Sequence, residues 1–168
     1  MLPVLQSPAQ GDIAFGKGVS FAARDRIELI AQGEIRHLDA TKVLTASEIV
    51  ISTGGALDLG SLVFAGNDLD VTGNGIKFSG ERVRAENIRL NALGGGIDGG
   101  DTLIRADSLQ VFSGGEVALA TDIGALIVDS ETGGNIFIDD LCWRRKQIKL
   151  VAVFAPNASF RMGADGSV

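Results

Sequence analysis

A phrase of six residues recurs about every 20 positions: a small residue, two spacers, and two apolar residues that flank a third. Copies read Ala46-Ser-Glu-Ile-Val-Ile51, Ala85-Glu-Asn-Ile-Arg-Leu90 and Ala106-Asp-Ser-Leu-Gln-Val111. Ala65-Gly-Asn-Asp-Leu-Asp-Val71 is the same phrase with one residue inserted, and Ala125 begins a weaker copy. A repeat this short, with the alternation of a β-strand, predicts a solenoid in which each repeat forms one coil.

Each repeat divides into three alternating segments, which we interpret as short strands with their apolar residues facing inward. A glycine turn separates the first segment from the second, and the third leads back to the small residue. The inward pairs are Ile49/Ile51, Leu69/Val71, Ile88/Leu90 and Leu109/Val111 in the first segment; Leu57/Leu59, Ile76/Phe78, Val117/Leu119 and Ile136/Ile138 in the second; and Leu44/Ala46, Val63/Ala65, Val83/Ala85, Ile104/Ala106 and Ile123/Ala125 in the third. Residues 1–168 are therefore predicted to form one all-β domain, a parallel β-helix of about six to seven coils.

Stacking the coils also predicts rows of outward side chains. In the second segment the row reads Arg36, Asp58, Lys77, Asp98, Ala118 and Phe137. Each pair of unlike charges on neighbouring strands stabilises the sheet by about 0.2–1 kcal/mol. Aromatic side chains are scarce, and we expect Phe64, Phe112 and Phe137 to point outward as contact points for another protein chain or, less favourably, for carbohydrate.

Composition excludes several classes of protein. The net charge of −6 argues against nucleic-acid binding. A single cysteine, Cys142, rules out an internal disulfide. Residues 1–10 lack the basic start and long apolar run of a signal peptide. No stretch approaches the roughly 18 uninterrupted apolar residues of a membrane span.

The register of the repeat breaks after Asp140 and is expected to return at Val153, which predicts a loop insertion near residues 139–150. Residues 141–168 carry five basic residues and one acidic residue, whereas residues 1–140 carry ten and twenty. The insertion holds the only tryptophan, and its candidate partner-binding residues are Trp143, Arg144, Arg145, Lys146 and Lys149. The competing interpretation is that Trp143 covers the end of the core while the cations neutralise the acidic body.

Four carboxylates, Glu48, Asp68, Glu86 and Asp107, are predicted to form a row near the small-residue corner. Paired acids on a strand face perform acid–base chemistry in enzymes that act on polysaccharides, but Arg84 and Arg105 stand two positions before Glu86 and Asp107 and favour neutralisation. His37 is the only histidine, so neither a Ser-His-Asp triad nor a zinc site is supported. No catalytic residue, metal or cofactor is predicted.

The repeats resemble those of the filamentous haemagglutinin type, which occur in large exported proteins of two-partner secretion systems and in related bacterial adhesins. Segments such as Leu103-Ile-Arg-Ala-Asp-Ser-Leu-Gln-Val111 and Phe21-Ala-Ala-Arg-Asp-Arg-Ile-Glu-Leu-Ile-Ala31 carry the resemblance, which covers roughly residues 19–138. It implies a right-handed parallel β-helix and a structural or adhesive role at a bacterial surface. The partners it implies are other protein chains, with carbohydrate as a further candidate.

Two other families share parts of the pattern. Bactofilin-type β-helices polymerise end to end, and lipopolysaccharide-transport proteins use similar phrases in an open jellyroll around a lipid groove. The leading hypothesis is therefore a non-enzymatic structural or binding protein, located at the cell surface if exported and in the cytoplasm otherwise. A self-assembling scaffold is the alternative, and an enzyme acting on polysaccharides is the third.

Overall fold

A computed structural model describes residues 5–9, 11–36, 38, 42–60, 62–130, 134–140, 149–154 and 159–164. These residues form sixteen strands: β1 (Leu5–Ala9), β2 (Ile13–Ala14), β3 (Ser20–Ala22), β4 (Arg26–Ala31), β5 (Ile35–Arg36), β6 (Val43–Thr53), β7 (Leu57–Leu59), β8 (Leu62–Gly73), β9 (Ile76–Phe78), β10 (Arg82–Arg84), β11 (Asn87–Ala92), β12 (Ile97–Ser113), β13 (Val117–Ser130), β14 (Ile136–Asp140), β15 (Lys149–Phe154) and β16 (Phe160–Ala164). Every strand pairing is parallel, and the chain winds into a β-solenoid of about six turns, which confirms the predicted fold class.

The strands stack into three faces. Face 1 consists of β1, β4, residues 48–53, 68–73, β11, residues 108–113, residues 125–130 and β15. Face 2 consists of β2, β5, β7, β9, residues 97–98, residues 117–119, residues 136–138 and residues 160–162. Face 3 consists of β3, residues 43–46, residues 62–65, β10, residues 103–106, residues 120–123, residues 139–140 and residues 163–164. Neighbouring parallel strands lie about 4.8 Å apart, so each coil places its side chains directly beside those of the next.

The interior is a continuous stack of apolar, mostly aliphatic side chains contributed by alternate residues of all three faces. On face 1, Ile49, Leu69, Ile88, Leu109 and Leu126 occupy one buried row. The predicted alternation holds because burying these side chains requires period-two patterning wherever one surface of a sheet faces the core.

Small residues fill the corner between face 3 and face 1, as predicted. Ala46 and Ala65 are opposite each other, and Ala85 and Ala106 are buried in the following coils. The residue inserted in the Ala65 copy is absorbed as a β-bulge, because Ala46 pairs with Ala65 while Glu48 pairs with Asp68. The register on both sides of the bulge is kept.

The predicted place of Ala125 is wrong. Ala106 pairs with Ile123, and Ala125 pairs with Ser108 on face 1. This coil is the shortest, since Leu109 pairs with Leu126, 17 residues later. The three residues are lost between faces 2 and 3, because Asp98 pairs with Ala118, 20 residues later, whereas Leu103 pairs with Ala120, 17 residues later.

The boundaries predicted for the insertion also need correction. Asp139 and Asp140 belong to β14, and the coil resumes at Lys149 rather than Val153, because Lys149 pairs with Ala125. The additional residues therefore lie between Asp140 and Lys149, outside the described residues. Asp140 is buried, and its Oδ1 lies 3.4 Å from the Thr121 hydroxyl oxygen.

The outward row of face 2 has the predicted register, with Lys77 opposite Asp58 on one side and Asp98 on the other. Asp58 also accepts a hydrogen bond from the Ser79 hydroxyl at 2.5 Å. Arg36 is held by its own coil and the previous one, through Glu34 at 3.0 Å and Asp12 at 2.9 Å. These contacts lie on an exposed surface, so each contributes little to the free energy of unfolding.

The first coils close the amino-terminal end of the core with aromatic side chains. The rings of Phe15 and Phe21 meet edge to face, with centroids 5.2 Å apart, and both are half-buried against the core. β1 adds a strand on face 1 that the sequence pattern did not predict, and it pairs with β4.

Candidate functional site

The predicted partner site lies mostly outside the described residues. Trp143, Arg144, Arg145 and Lys146 all fall in residues 141–148, so their grouping with one another stays a prediction. Lys149 is described, and it is exposed at the first position of β15 rather than on a loop. Its neighbour across the strands of face 1 is Ala125.

The predicted row of four carboxylates is wrong. Glu48 and Asp68 are opposite each other on face 1, but the same row continues with Asn87 and Ser108. Glu86 and Asp107 lie one position earlier, at the corner after the alanines, where the Asp107 amide donates to the Glu86 carbonyl at 2.9 Å. The acids therefore form two separate pairs.

Basic and amide side chains engage two of these acids, and a cation near the others has a different partner. Glu48 lies 3.3 Å from Arg26 Nη1, and Asp68 Oδ1 accepts a hydrogen bond from Asn87 Nδ2 at 2.9 Å. Arg105 is bound at 2.6 Å by Asp122, the residue opposite it on face 3. Glu48 and Asp68 are therefore occupied by donor groups of the solenoid itself.

The outward side of face 1 is a polar surface that crosses four coils. We define the face 1 polar surface as Glu48, Asp68, Asn87, Ser108, Asp70, Arg89, Gln110, Ser52, Thr72 and Asn91, which occupy three neighbouring outward rows. Arg89 joins its middle row, because Nε donates to Gln110 Oε1 at 3.3 Å and Nη1 lies 3.5 Å from Asp70 Oδ1. A shallow depression of about 240 Å³ lies over these side chains.

A larger cleft lies at the carboxyl-terminal side of this surface. The Phe112 cleft encloses about 370 Å³ and is lined by Arg89, Asn91, Ala92, Leu93, Phe112, Ser113, Gly114 and Asp129. That volume is within the range of small-molecule sites, at about 300–1,000 Å³. Leu93 is 65% exposed at its edge, in the turn that follows β11.

Strand register assembles this cleft from three coils. Asn91, Phe112 and Asp129 occupy the same outward row of β11, β12 and β13 and are immediate neighbours. Asp129 Oδ1 is buried and has no hydrogen-bond partner among the residues that the structure describes. A buried acceptor without a donor costs about 1–3 kcal/mol, and a bound group that supplies a donor recovers that energy.

Sequence analysis identified Phe112 as an outward aromatic residue, but it did not identify Asn91 or Asp129. The three residues are separated by 21 and 17 positions, and the second spacing is the one that was misaligned. Aligning Leu109 with Leu126 instead of Ala106 with Ala125 would have placed Asp129 beside Phe112.

The described residues include no group of three or more His, Cys, Asp or Glu side chains that could hold a metal ion. His37 and Cys142 lie outside them. None of the described segments forms a helix with the length and apolar character needed to cross a membrane.

Comparison with protein-family models, with curated proteins and with solved structures finds no match to this chain. The arrangement of side chains on the solenoid is therefore what supports a function.

Proposed function

We propose that this chain is a non-enzymatic binding and structural protein of a bacterial surface, an adhesin-like β-solenoid with repeats of the filamentous haemagglutinin type. The observation that carries the proposal is the face 1 polar surface, which spans four coils beside the Phe112 cleft. Its partners are an extended glycan or another protein chain.

The filled interior supports binding on the outside. Buried and mostly aliphatic side chains fill the inward positions of the central coils, so a ligand meets the outward rows. Because parallel strands repeat at about 4.8 Å, those rows present hydrogen-bonding groups at even spacing along the solenoid. An extended ligand that contacts several coils gains affinity from many weak contacts at once.

The engagement of the acids supports a role without catalysis. Glu48 and Asp68 each contact a donor group, and Arg105 is held by Asp122. A pair of acids that performs general acid–base work needs one member poised to hold a proton. We expect no release of reducing ends when the chain is incubated with a panel of bacterial and host polysaccharides, and measurable release would contradict the proposal.

Arrays of glycans and extracellular-matrix proteins test the binding role. The full chain should bind at least one of them saturably, and Asp70→Ala combined with Arg89→Ala should weaken that binding about tenfold or more. The matched control is Asp58→Ala with Lys77→Ala, an oppositely charged pair in register on face 2, which should bind like the wild type. Absence of binding to both arrays, or equal loss in both double variants, would overturn the proposal.

The surface location has its own test. Antibodies raised against the chain should label intact cells that produce it naturally. Labelling that requires permeabilised cells would contradict a surface role and would favour a cytoplasmic scaffold.

End-to-end assembly is the second candidate function, because β1 and β15 each pair with a single strand of face 1 among the described residues. The Gly54 amide donates to the Ala31 carbonyl, so the backbone N–H and C=O groups of Ala31 point toward β6. Those of the adjacent Ile30 therefore point the other way, toward β1. Pro8 is opposite Ile30, and it therefore directs its own backbone away from β4. Since proline has no N–H, an added strand would lack one donor at this edge.

We therefore expect this chain to remain a 17.5 kDa monomer over a hundredfold dilution, measured by size-exclusion chromatography with light scattering. A molar mass that rises with concentration would favour the scaffold. In that case Pro8→Val should strengthen the association, because it restores the missing donor.

A further inference from the structure

We propose that the Phe112 cleft binds a neutral saccharide unit, with Asp129 accepting hydrogen bonds from its hydroxyls and Phe112 covering one face of its ring. The inference rests on the proposed binding function and names the ligand class of one part of the surface. Its basis is the combination of an unpartnered buried acceptor, an aromatic ring and two amide or guanidinium donors in one cleft.

Asp129 sets the first requirement for the ligand. Asp129 is half-buried and lines the cleft, and its Oδ1 has no hydrogen-bond partner among the described residues, so an occupant that brings a donor to this carboxylate is favoured. A hydrogen bond to a charged acceptor is stronger than one between neutral groups. A sugar hydroxyl is such a donor, and it needs no opposite charge on the ligand.

The apolar walls set the second requirement. Phe112 lies between Asn91 and Asp129 in the row, and Leu93 stands 65% exposed at the rim. A ligand with hydroxyls alone would leave these side chains in water, whereas a ligand that is wholly apolar would leave Asp129 without a donor. A pyranose ring has hydroxyls at its edge and C–H groups on its faces, so it matches both sides of the cleft.

Charge balance favours a neutral sugar. The cleft contains one cation, Arg89, and one anion, Asp129. Arg89 is also held by Asp70 and Gln110, which fixes its guanidinium in position to donate to a ligand oxygen. Asp129 would repel an acidic sugar, and Arg89 would repel a basic peptide side chain. In either case the charge of the ligand would not be fully paired in the cleft.

Saturation-transfer NMR on the full chain tests the inference, with methyl glycosides of glucose, galactose, mannose and N-acetylglucosamine as probes. At least one probe should receive transfer at its ring protons. Asp129→Ala and Phe112→Ala should each weaken its binding about tenfold or more. Asp129→Asn keeps the shape of the side chain, so it remains a test if Asp129→Ala fails to fold, and it should also weaken binding.

The control is Lys77→Ala, on the outward row of face 2 and outside both the cleft and the face 1 polar surface, which should bind like the wild type. If the Asp129 and Phe112 variants bind the probe as tightly as the wild type does, the inference is overturned. Absence of transfer to all four probes, or a preference of the cleft for a lysine-containing peptide, would also overturn it. If the wild type nevertheless binds the arrays through the face 1 polar surface, the proposed function stands without the saccharide. Absence of binding in both experiments would remove both.

Discussion

Leu90→Ala is expected to lower the free energy of unfolding by about 2–5 kcal/mol. Leu90 is fully buried in β11, and Val71 and Val111 flank it in the neighbouring coils. Truncation removes packing on both sides and leaves a cavity that the rigid parallel stack closes poorly. Because each coil contacts only its neighbours, damage in the middle of a solenoid separates two shorter stacks that each have less core.

Urea denaturation followed by circular dichroism measures this effect. At a slope of about 2 kcal/mol per molar urea, the midpoint should fall by about 1–2.5 M. The matched control is Leu93→Ala, the same change three residues later at a side chain that is 65% exposed. It should change the stability by about 0.5 kcal/mol or less. Similar losses at both positions would contradict the described core.

Gly96→Ala is expected to cost about 3 kcal/mol or more, the upper part of the range for overpacking. A Cβ at Gly96 would meet the Glu116 carbonyl oxygen at a separation that real Cβ atoms do not show, and the Glu116 amide nitrogen at 3.2 Å. These atoms belong to the backbone of the next coil, and the Glu116 carbonyl accepts a hydrogen bond from the Ile97 amide at 2.8 Å. Relief of the clash would therefore disturb the pairing of two coils.

The glycine at the equivalent turn of the preceding coil provides the comparison. Gly75 comes just before Ile76 as Gly96 comes just before Ile97, but a Cβ at Gly75 would have its nearest neighbour, the Gly96 carbonyl oxygen, at 3.6 Å. Gly75→Ala should therefore leave the melting temperature within a few degrees of the wild type, since 1 kcal/mol shifts it by about 2–4 °C in a domain of this size. Thermal melts of both variants measure the contrast, and a smaller loss for Gly96→Ala than for Gly75→Ala would contradict the turn geometry.

Local patterning was sufficient to predict the architecture. The Ala46 and Ala65 copies were aligned correctly even though they differ by one residue, because the apolar pairs that follow them keep their alternation. Alternation survives an insertion at a corner, since the bulge changes the length of the coil without changing which side of the strand faces the core.

Register across coils was harder to predict where the coil length changed. Ala125-Leu126-Ile127-Val128 contains both a small residue and an apolar pair, so the sequence admits more than one alignment with the preceding coil. The structure selects the alignment in which Ile123 occupies the alanine corner and Thr121 the inward site that Ile104 fills in the coil before. The Thr121 hydroxyl is accommodated there because Asp140 and the Asp139 carbonyl lie within 3.4 Å.

The candidate site depended on that same alignment. Asp129 was not grouped with Phe112 and Asn91 because their relation exists only between coils and has no local sequence signature. An outward position is also not constrained by the need to bury apolar surface, so its pattern is free to vary from coil to coil.

The bulge at the Ala65 corner has a consequence for how such a protein diverges. Gly66 and Asn67 lengthen one coil, yet Ala65 on one side and Asp68 on the other keep the partners they would have without the extra residue. Both residues are exposed, and the Asn67 amide donates to the Ser47 hydroxyl of the adjoining coil at 3.1 Å. A longer segment inserted between them would project into solvent, and the strand register of the core would not change. The corner is thus a position at which the chain can acquire a display loop by simple insertion, so that new recognition surfaces can arise without redesign of the rod that carries them.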